Sequence, residues 1–114
     1  MQTITAQEVK HLWDRGEDFL LVNTLPADKF AQTKIPGAVN IPESDGDFAA
    51  RVLEKAGSKE KSIVVYCARR ECDSSTKAMQ KLLDAGFEEV WDFEEGAEGW
   101  REFMSKKGMG VGRR

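Results

Sequence analysis

An α/β domain, with a mainly parallel central sheet and helices on both faces, is the fold class this sequence predicts. Three observations carry that prediction. Short apolar runs of strand length, "FLLVN" at 19–23, "SIVVYC" at 62–67 and "EVWDF" at 89–93, alternate with segments whose apolar residues recur at helical spacing. The run at 62–67 is the most apolar in the chain and lacks polar alternation, as a central strand buried on both faces requires. Finally, 114 residues with 40% hydrophobic and 32% charged content describe one globular domain spanning residues 1–114.

The elements follow in order. "TAQE" at 5–8 fits a capping box, with Thr5 accepting from the amide of Glu8 while Glu8 reaches back. Val9, Leu12 and Trp13 then form an apolar stripe, and Gly16 is a helix stop. After the strand at 19–23, Pro26 opens a short turn or helix reaching Phe30, and "IPGAVNIP" brackets a brief extended segment at 38–41. Ser44 and Asp47 open a capped helix carrying Phe48, Val52 and Leu53 inward. Beyond the strand at 62–67, Ser74 or Ser75 caps a helix with Ala78, Met79, Leu82 and Leu83 on its apolar side, and Gly86 lies just past its end. A last strand at 89–93 precedes a helix at 97–107 packed through Trp100 and Phe103.

Composition narrows the function classes. A formal charge of −3 argues against a nucleic-acid phosphate backbone as the main partner. The N-terminus has no signal-peptide core, and Glu8, Asp14, Glu17 and Asp18 disfavour a mitochondrial transit peptide. No run approaches the roughly 20 apolar residues that span a bilayer. A cytoplasmic protein without membrane partners is expected. Two cysteines are too few for a disulfide framework. Gly112, Arg113 and Arg114 read as a short frayed basic tail.

The stretch that carries chemistry is "CARRECDSS", residues 67–75. A buried strand ends in Cys67, a polar loop follows, and a helix begins. In α/β sheets ligands bind beyond the C-terminal strand ends. Helix N-terminal amides and successive loop amides favour negative charge there, which would lower a thiol from its ordinary pKa near 8.5. Arg69 and Arg70 add positive charge, partly offset by Glu71 and Asp73. The sole histidine, His11, is distant in sequence, which gives a Cys–His proteolytic pair little support. Other readings of the same residues stay open. Cys67 also suits a small buried hydrophobe. Cys67 and Cys72 also suit a redox-active disulfide. The arginines also suit a solvated surface. The C-x4-C spacing lacks the second pair or histidine cluster of a zinc site, so no metal and no cofactor is expected. Trp13, Trp91 and Trp100 read as core or subunit contacts, and "GMGVG" at 108–112 follows a helix rather than opening one, unlike a phosphate loop.

Several ordered motifs resemble the single-domain rhodaneses, a family of sulfurtransferases. "FLLVNTLPADKF" is similar to the family's first core strand and turn, V-D-x-R-x-x-x-E-(F/Y). "KIPGAVNIP" resembles H-I-P-G-A-x-N-(I/L)-P, and "VVYC" with "SSTKAMQKLLDAGFEEVWDFEEGAEGW" resembles the active-site strand, its helix and the closing segment. "KKGMGV" stands where the family often has A-G-(L/Y)-P-V. The resemblance implies a five-stranded, mainly parallel sheet. It also implies that Cys67 attacks the outer sulfur of a donor such as thiosulfate or a persulfide, and that the Cys67 persulfide passes sulfur to a thiol or protein acceptor. The substrate-binding loop would be Ala68, Arg69, Arg70, Glu71, Cys72, Asp73 and Ser74, with its amides holding the Cys67 thiolate.

Departures accompany the likeness. Asn23 and Leu25 stand where many members have Asp and Arg, and Lys34 replaces a histidine. The loop is longer than the common form and resembles a subgroup with C-x4-C, which gives Cys72 a role as resolving thiol, sulfur relay or principal nucleophile. Phosphatases and arsenate reductases of this fold use C-x5-R, but the sixth position after Cys67 is Asp73, whose charge would repel an oxyanion. Two function classes remain: sulfur transfer through Cys67, and a regulatory module sensing redox state through a Cys67/Cys72 disulfide.

Overall fold

The computed structural model describes residues 2–112, with side chains described as far as Lys106. Thr5 and Glu8 form the reciprocal cap that the sequence predicts. Thr5 Oγ1 accepts from the Glu8 amide at 3.2 Å, and Glu8 Oε1 accepts from the Thr5 amide at 2.9 Å. From this cap runs helix α1 (Ala6–Asp14), followed by β1 (Phe19–Asn23), α2 (Ala27–Thr33), β2 (Val39–Asn40), α3 (Phe48–Ala56), β3 (Ser62–Tyr66), α4 (Ser74–Asp84), β4 (Val90–Phe93) and α5 (Gly96–Gly112).

The four strands are parallel in the order β2-β1-β3-β4, with Val22 opposite both Val39 and Val65, and Val65 opposite Asp92. Alternation along β3 fills two cores. Ile63 and Val65 pack with Val52, Met79 and Leu82 of α3 and α4, whereas Val64 and Tyr66 pack with Val9, Ala97 and Trp100 of α1 and α5. Ile63, Val64, Val65 and Tyr66 have no exposed surface. Each aliphatic among them contributes about 1.5–3 kcal/mol by leaving water. Both faces of β3 are therefore covered, which is why its sequence shows no polar alternation.

Among the described residues four strands, not five, form this sheet. Where a fifth would lie, Gln2 and Ile4 make two backbone hydrogen bonds to Asp92, at 2.9 and 3.1 Å, and only a single bridge results. The cause is local: the cap at Thr5 turns the chain into α1 before more residues can pair. Other boundaries also shift. The extended segment expected at 38–41 narrows to β2, and the last helix runs past 107 to Gly112, so the glycine-rich stretch continues it. Arg113 and Arg114 of the basic tail lie outside the described residues. Asp47 occupies the N-cap of α3 without a side-chain cap bond. Leu83 is 40% exposed. The stripe through Ala78, Met79 and Leu82 already covers the core side of α4, and Leu83 lies one helical step around from it. Trp13 and Trp100 meet edge-to-face at 5.6 Å between α1 and α5, a core contact rather than a ligand platform.

Candidate active site

Cys67 follows β3 directly, at the sheet's switch point, where the chain runs from β1 to β2 at one edge and from β3 to β4 at the other. The alternation that sends Val65 toward α4 sends Cys67 the same way, and its Sγ lies 3.8 Å from Ser75 Oγ. The thiol has no exposed surface. Its Sγ has the carbonyl oxygens of Cys72 at 3.4 Å and Arg69 at 3.9 Å as acceptors. Burial pushes the Cys67 thiol up to about 11, and the neighbouring Cys72 sulfur adds to the rise against the Ser75 amide and hydroxyl. The expected lowering at Cys67 is not what this loop produces. Carbonyl oxygens face the sulfur and disfavour a negative charge on it.

The amides expected around Cys67 are largely directed at Cys72. Burial alone would raise Cys72, but the nearby Cys67 thiol, the Ser74 amide and hydroxyl, and the Ala68 amide outweigh it and leave its pKa lowered. Cys72 is half-buried. Its own N–H closes a turn onto the Arg69 carbonyl at 3.1 Å.

Two helix N-termini build this arrangement. In α4, Asp73 holds the N-cap position without a side-chain bond. The expected serine caps are not made: Ser74 faces Cys72 and Ser75 faces Cys67. The first amides of α4, which have no partner within the helix, act on the two thiols, that of Ser75 lowering Cys67 and that of Ser74 lowering Cys72. In α5, the Ala97 amide donates to the Cys67 carbonyl at 2.9 Å, and the Glu98 amide donates to the Ala68 carbonyl at 2.9 Å. A trans peptide points its C=O and N–H in opposite directions. Anchoring the Cys67 carbonyl therefore aims the Ala68 N–H of the same peptide toward Cys72.

Gly96 makes that anchoring possible, and reasoning from sequence passed over it. A Cβ there would lie 2.5 Å from the Cys67 carbonyl oxygen and 2.9 Å from the Arg69 nitrogen, and its φ is +65°. Its place just ahead of a helix is the one signal in the sequence that points to such a role.

The remaining predicted residues lie on the surface of the loop. Ala68 is partly exposed, whereas Arg69, Arg70, Glu71 and Asp73 are exposed. Arg70 is drawn to Glu94 at 3.5 Å and Glu95 at 3.6 Å, and Asp73 lies 3.7 Å from Lys77. Asn23, one of the departures in the first strand, is fully buried and satisfied: its Oδ1 accepts from the Leu25 amide and its Nδ2 donates to Thr33 Oγ1, each at 3.0 Å. His11 lines an open groove of about 1220 Å³, together with Phe19, Ser62 and Trp91. That groove lies at the N-terminal strand ends, away from the cysteines. Among the described residues no group of His, Cys, Asp and Glu suits a metal ion, and no helix is long and apolar enough to cross a membrane.

Comparison with known proteins agrees with this architecture. A family model described as "Rhodanese-like domain" matches residues 5–103. An adenylyltransferase and sulfurtransferase of Zea mays is 34% identical over 100 residues, covering 85% of this chain and 21% of that protein. An HTH-type transcriptional regulator of Mycobacterium tuberculosis is 34% identical over 98 residues, covering 86% of this chain and 41% of that protein. The chain thus spans less than half the length of either relative. The crystal structure of a thiosulfate sulfurtransferase from Pseudomonas aeruginosa superposes with a TM-score of 0.78 at 27% identity, covering 91% of this chain and 19% of that one.

Proposed function

This chain belongs to the rhodanese-like domain family, and from that premise we propose that it is a sulfurtransferase moving sulfane sulfur through a cysteine persulfide on the loop 67–75. One observation carries the reading beyond family membership. Two free thiols share one loop beyond the C-terminal end of the central strand, and the first turn of α4 closes it, with Ser75 Oγ 3.8 Å from the Cys67 sulfur. A thiolate attacks the outer sulfur of the donor and breaks its S–S bond, so that thiosulfate leaves as sulfite. The persulfide then gives its outer sulfur to an acceptor thiolate, which restores the cysteine. Cys67, shielded from solvent, is the thiol on which that sulfur is stored. The acceptor is a small thiol or a protein thiol.

Charge around the loop bears on the donor. Arg70 is held by Glu94 and Glu95, while Glu71 and Asp73 are exposed beside the thiols. A small-molecule persulfide carries less negative charge at its reacting end than dianionic thiosulfate, and suits this surface better. A cytoplasmic setting fits a reaction that needs both cysteines reduced.

Steady-state transfer with thiosulfate or glutathione persulfide as donor and cyanide as acceptor tests the proposal. Thiocyanate should form with the wild type and fall to background in the Cys67→Ser/Cys72→Ser double variant. Equal rates in both proteins would refute it. A second reading, a redox-sensing module, draws on the hydrogen-bonded thiols and on the similarity to a transcriptional regulator. It predicts that a disulfide oxidant closes Cys67–Cys72 while sulfur donors leave no persulfide.

A further inference from the structure

The two thiols are not equivalent, and their difference is built into the loop. Cys67 is sealed from solvent with carbonyl oxygens against its sulfur, whereas Cys72 is half-buried with donors against its sulfur. Of the two residues, Cys72 is the one with surface open to a donor molecule. Burial would raise its thiol, but the Cys67 thiol, the Ser74 amide and hydroxyl and the Ala68 amide outweigh it and lower the Cys72 pKa. An anion nest of this kind stabilises a thiolate, and it does so at Cys72.

We propose that Cys72 is the thiol that takes sulfur from the donor, and that Cys67 receives the sulfur from Cys72. This rests on the sulfurtransferase reading above and assigns the order of events within it. In the first step the Cys72 thiolate attacks the donor's outer sulfur, a new Cys72 S–S bond forms, and the donor thiolate or sulfite leaves. In the second step the Cys67 thiol gives its proton to the outer sulfur of the Cys72 persulfide, and the Cys67 thiolate attacks that sulfur. The S–S bond to Cys72 breaks and Cys72 departs as a thiolate, leaving a protonated persulfide on Cys67. No oxidant or reductant is consumed. The nest serves both steps, because an attacking thiolate must exist near neutral pH and a better-stabilised thiolate leaves faster. The Cys67 sulfur already lies against residue 72, 3.4 Å from its carbonyl oxygen, which keeps the two cysteines together for the second step.

The test is a single-turnover loading experiment with glutathione persulfide, read by intact mass and peptide mapping on wild type, Cys67→Ser and Cys72→Ser. Cys67→Ser should gain one sulfur on Cys72 at a rate within a few-fold of wild type. Cys72→Ser should load at least about tenfold more slowly, since its remaining thiol is buried and protonated. In the wild type, sulfur should appear first on Cys72 and then on Cys67. Loading of Cys72→Ser at the wild-type rate would overturn the order, and sulfur that stays on Cys72 in the wild type would overturn the relay. Limiting iodoacetamide on the unmutated protein gives a check independent of folding of the variants. Cys72 should be alkylated first, and prior alkylation of Cys67 would overturn the assignment. A wild type that takes up no sulfur would instead remove the sulfurtransferase reading on which all of this stands.

Discussion

Replacing Gly96 by alanine should damage the site from a position that carries no reactive group. Two costs are separable. At φ +65° a residue with a Cβ pays about 1–2 kcal/mol for the left-handed conformation. The added methyl would also sit 2.5 Å from the Cys67 carbonyl oxygen, which is backbone held by the Ala97 amide, and such overpacking costs about 1–3 kcal/mol. The sum is about 2–5 kcal/mol by urea denaturation. Gly16→Ala is the control: its φ is +70°, and a Cβ there meets nothing within 4 Å, so only the conformational part of about 1–2 kcal/mol remains. The excess of Gly96→Ala over Gly16→Ala isolates the contact with the cysteine loop. If the Cys67–Ala68 peptide tilts to relieve the overlap, Cys72 loses the Ala68 amide. A hydrogen bond to a charged group contributes about 1.5–3 kcal/mol, so alkylation of Cys72 at neutral pH should slow by about ten- to a hundredfold. Equal destabilisation in the two variants, with Cys72 reactivity unchanged in Gly96→Ala, would refute the claim that α5 positions the loop.

Three further outcomes follow from the same geometry. The folded protein holds the Cys67 proton up to about pH 11, above the ordinary thiol value near 8.5, so the stability this contributes is complete below pH 8.5 and lost as pH rises through 11; the loss, about 3 kcal/mol, should appear in urea melts of wild type and be missing in Cys67→Ala. Neutralising the exposed loop carboxylates in Glu71→Gln/Asp73→Asn should lower the KM for thiosulfate by about two- to fivefold at low ionic strength, with the gain vanishing in high salt; an unchanged KM at low salt would show that these charges do not reach the donor. The buried Tyr66 hydroxyl accepts from the Ile35 amide and donates to the Thr33 carbonyl, each at 3.0 Å. Tyr66→Phe should therefore lose about 1–3 kcal/mol in denaturant titration, chiefly from the unpaired Ile35 amide.

Features written in local chemistry were legible in the sequence. The Thr5–Glu8 cap, the strand at 19–23, the doubly covered strand from residue 62, which ends at Tyr66 rather than at Cys67, and the loop of two thiols all follow from spacing over a few residues. What the sequence hid depends on which backbone group faces which sulfur. The nest forms at Cys72 rather than Cys67 because the N-terminus of α5, some 30 residues later in the chain, holds the Cys67 and Ala68 carbonyls. No pattern within residues 67–75 encodes that contact. The serine caps failed for a related reason: the hydroxyls of Ser74 and Ser75 turn to the sulfurs, and Asp73 holds the cap position without bonding the helix. The fifth strand was an inheritance from the resemblance that the cap at Thr5 cuts short.

The central claim is that this loop carries sulfur covalently, and intact mass of the wild-type protein after exposure to thiosulfate or glutathione persulfide tests it most directly. The account predicts a gain of one sulfur atom, removed again by cyanide and absent from the Cys67→Ser/Cys72→Ser double variant. A protein that gains no sulfur from either donor, or that only loses two hydrogens to a Cys67–Cys72 disulfide, would contradict it.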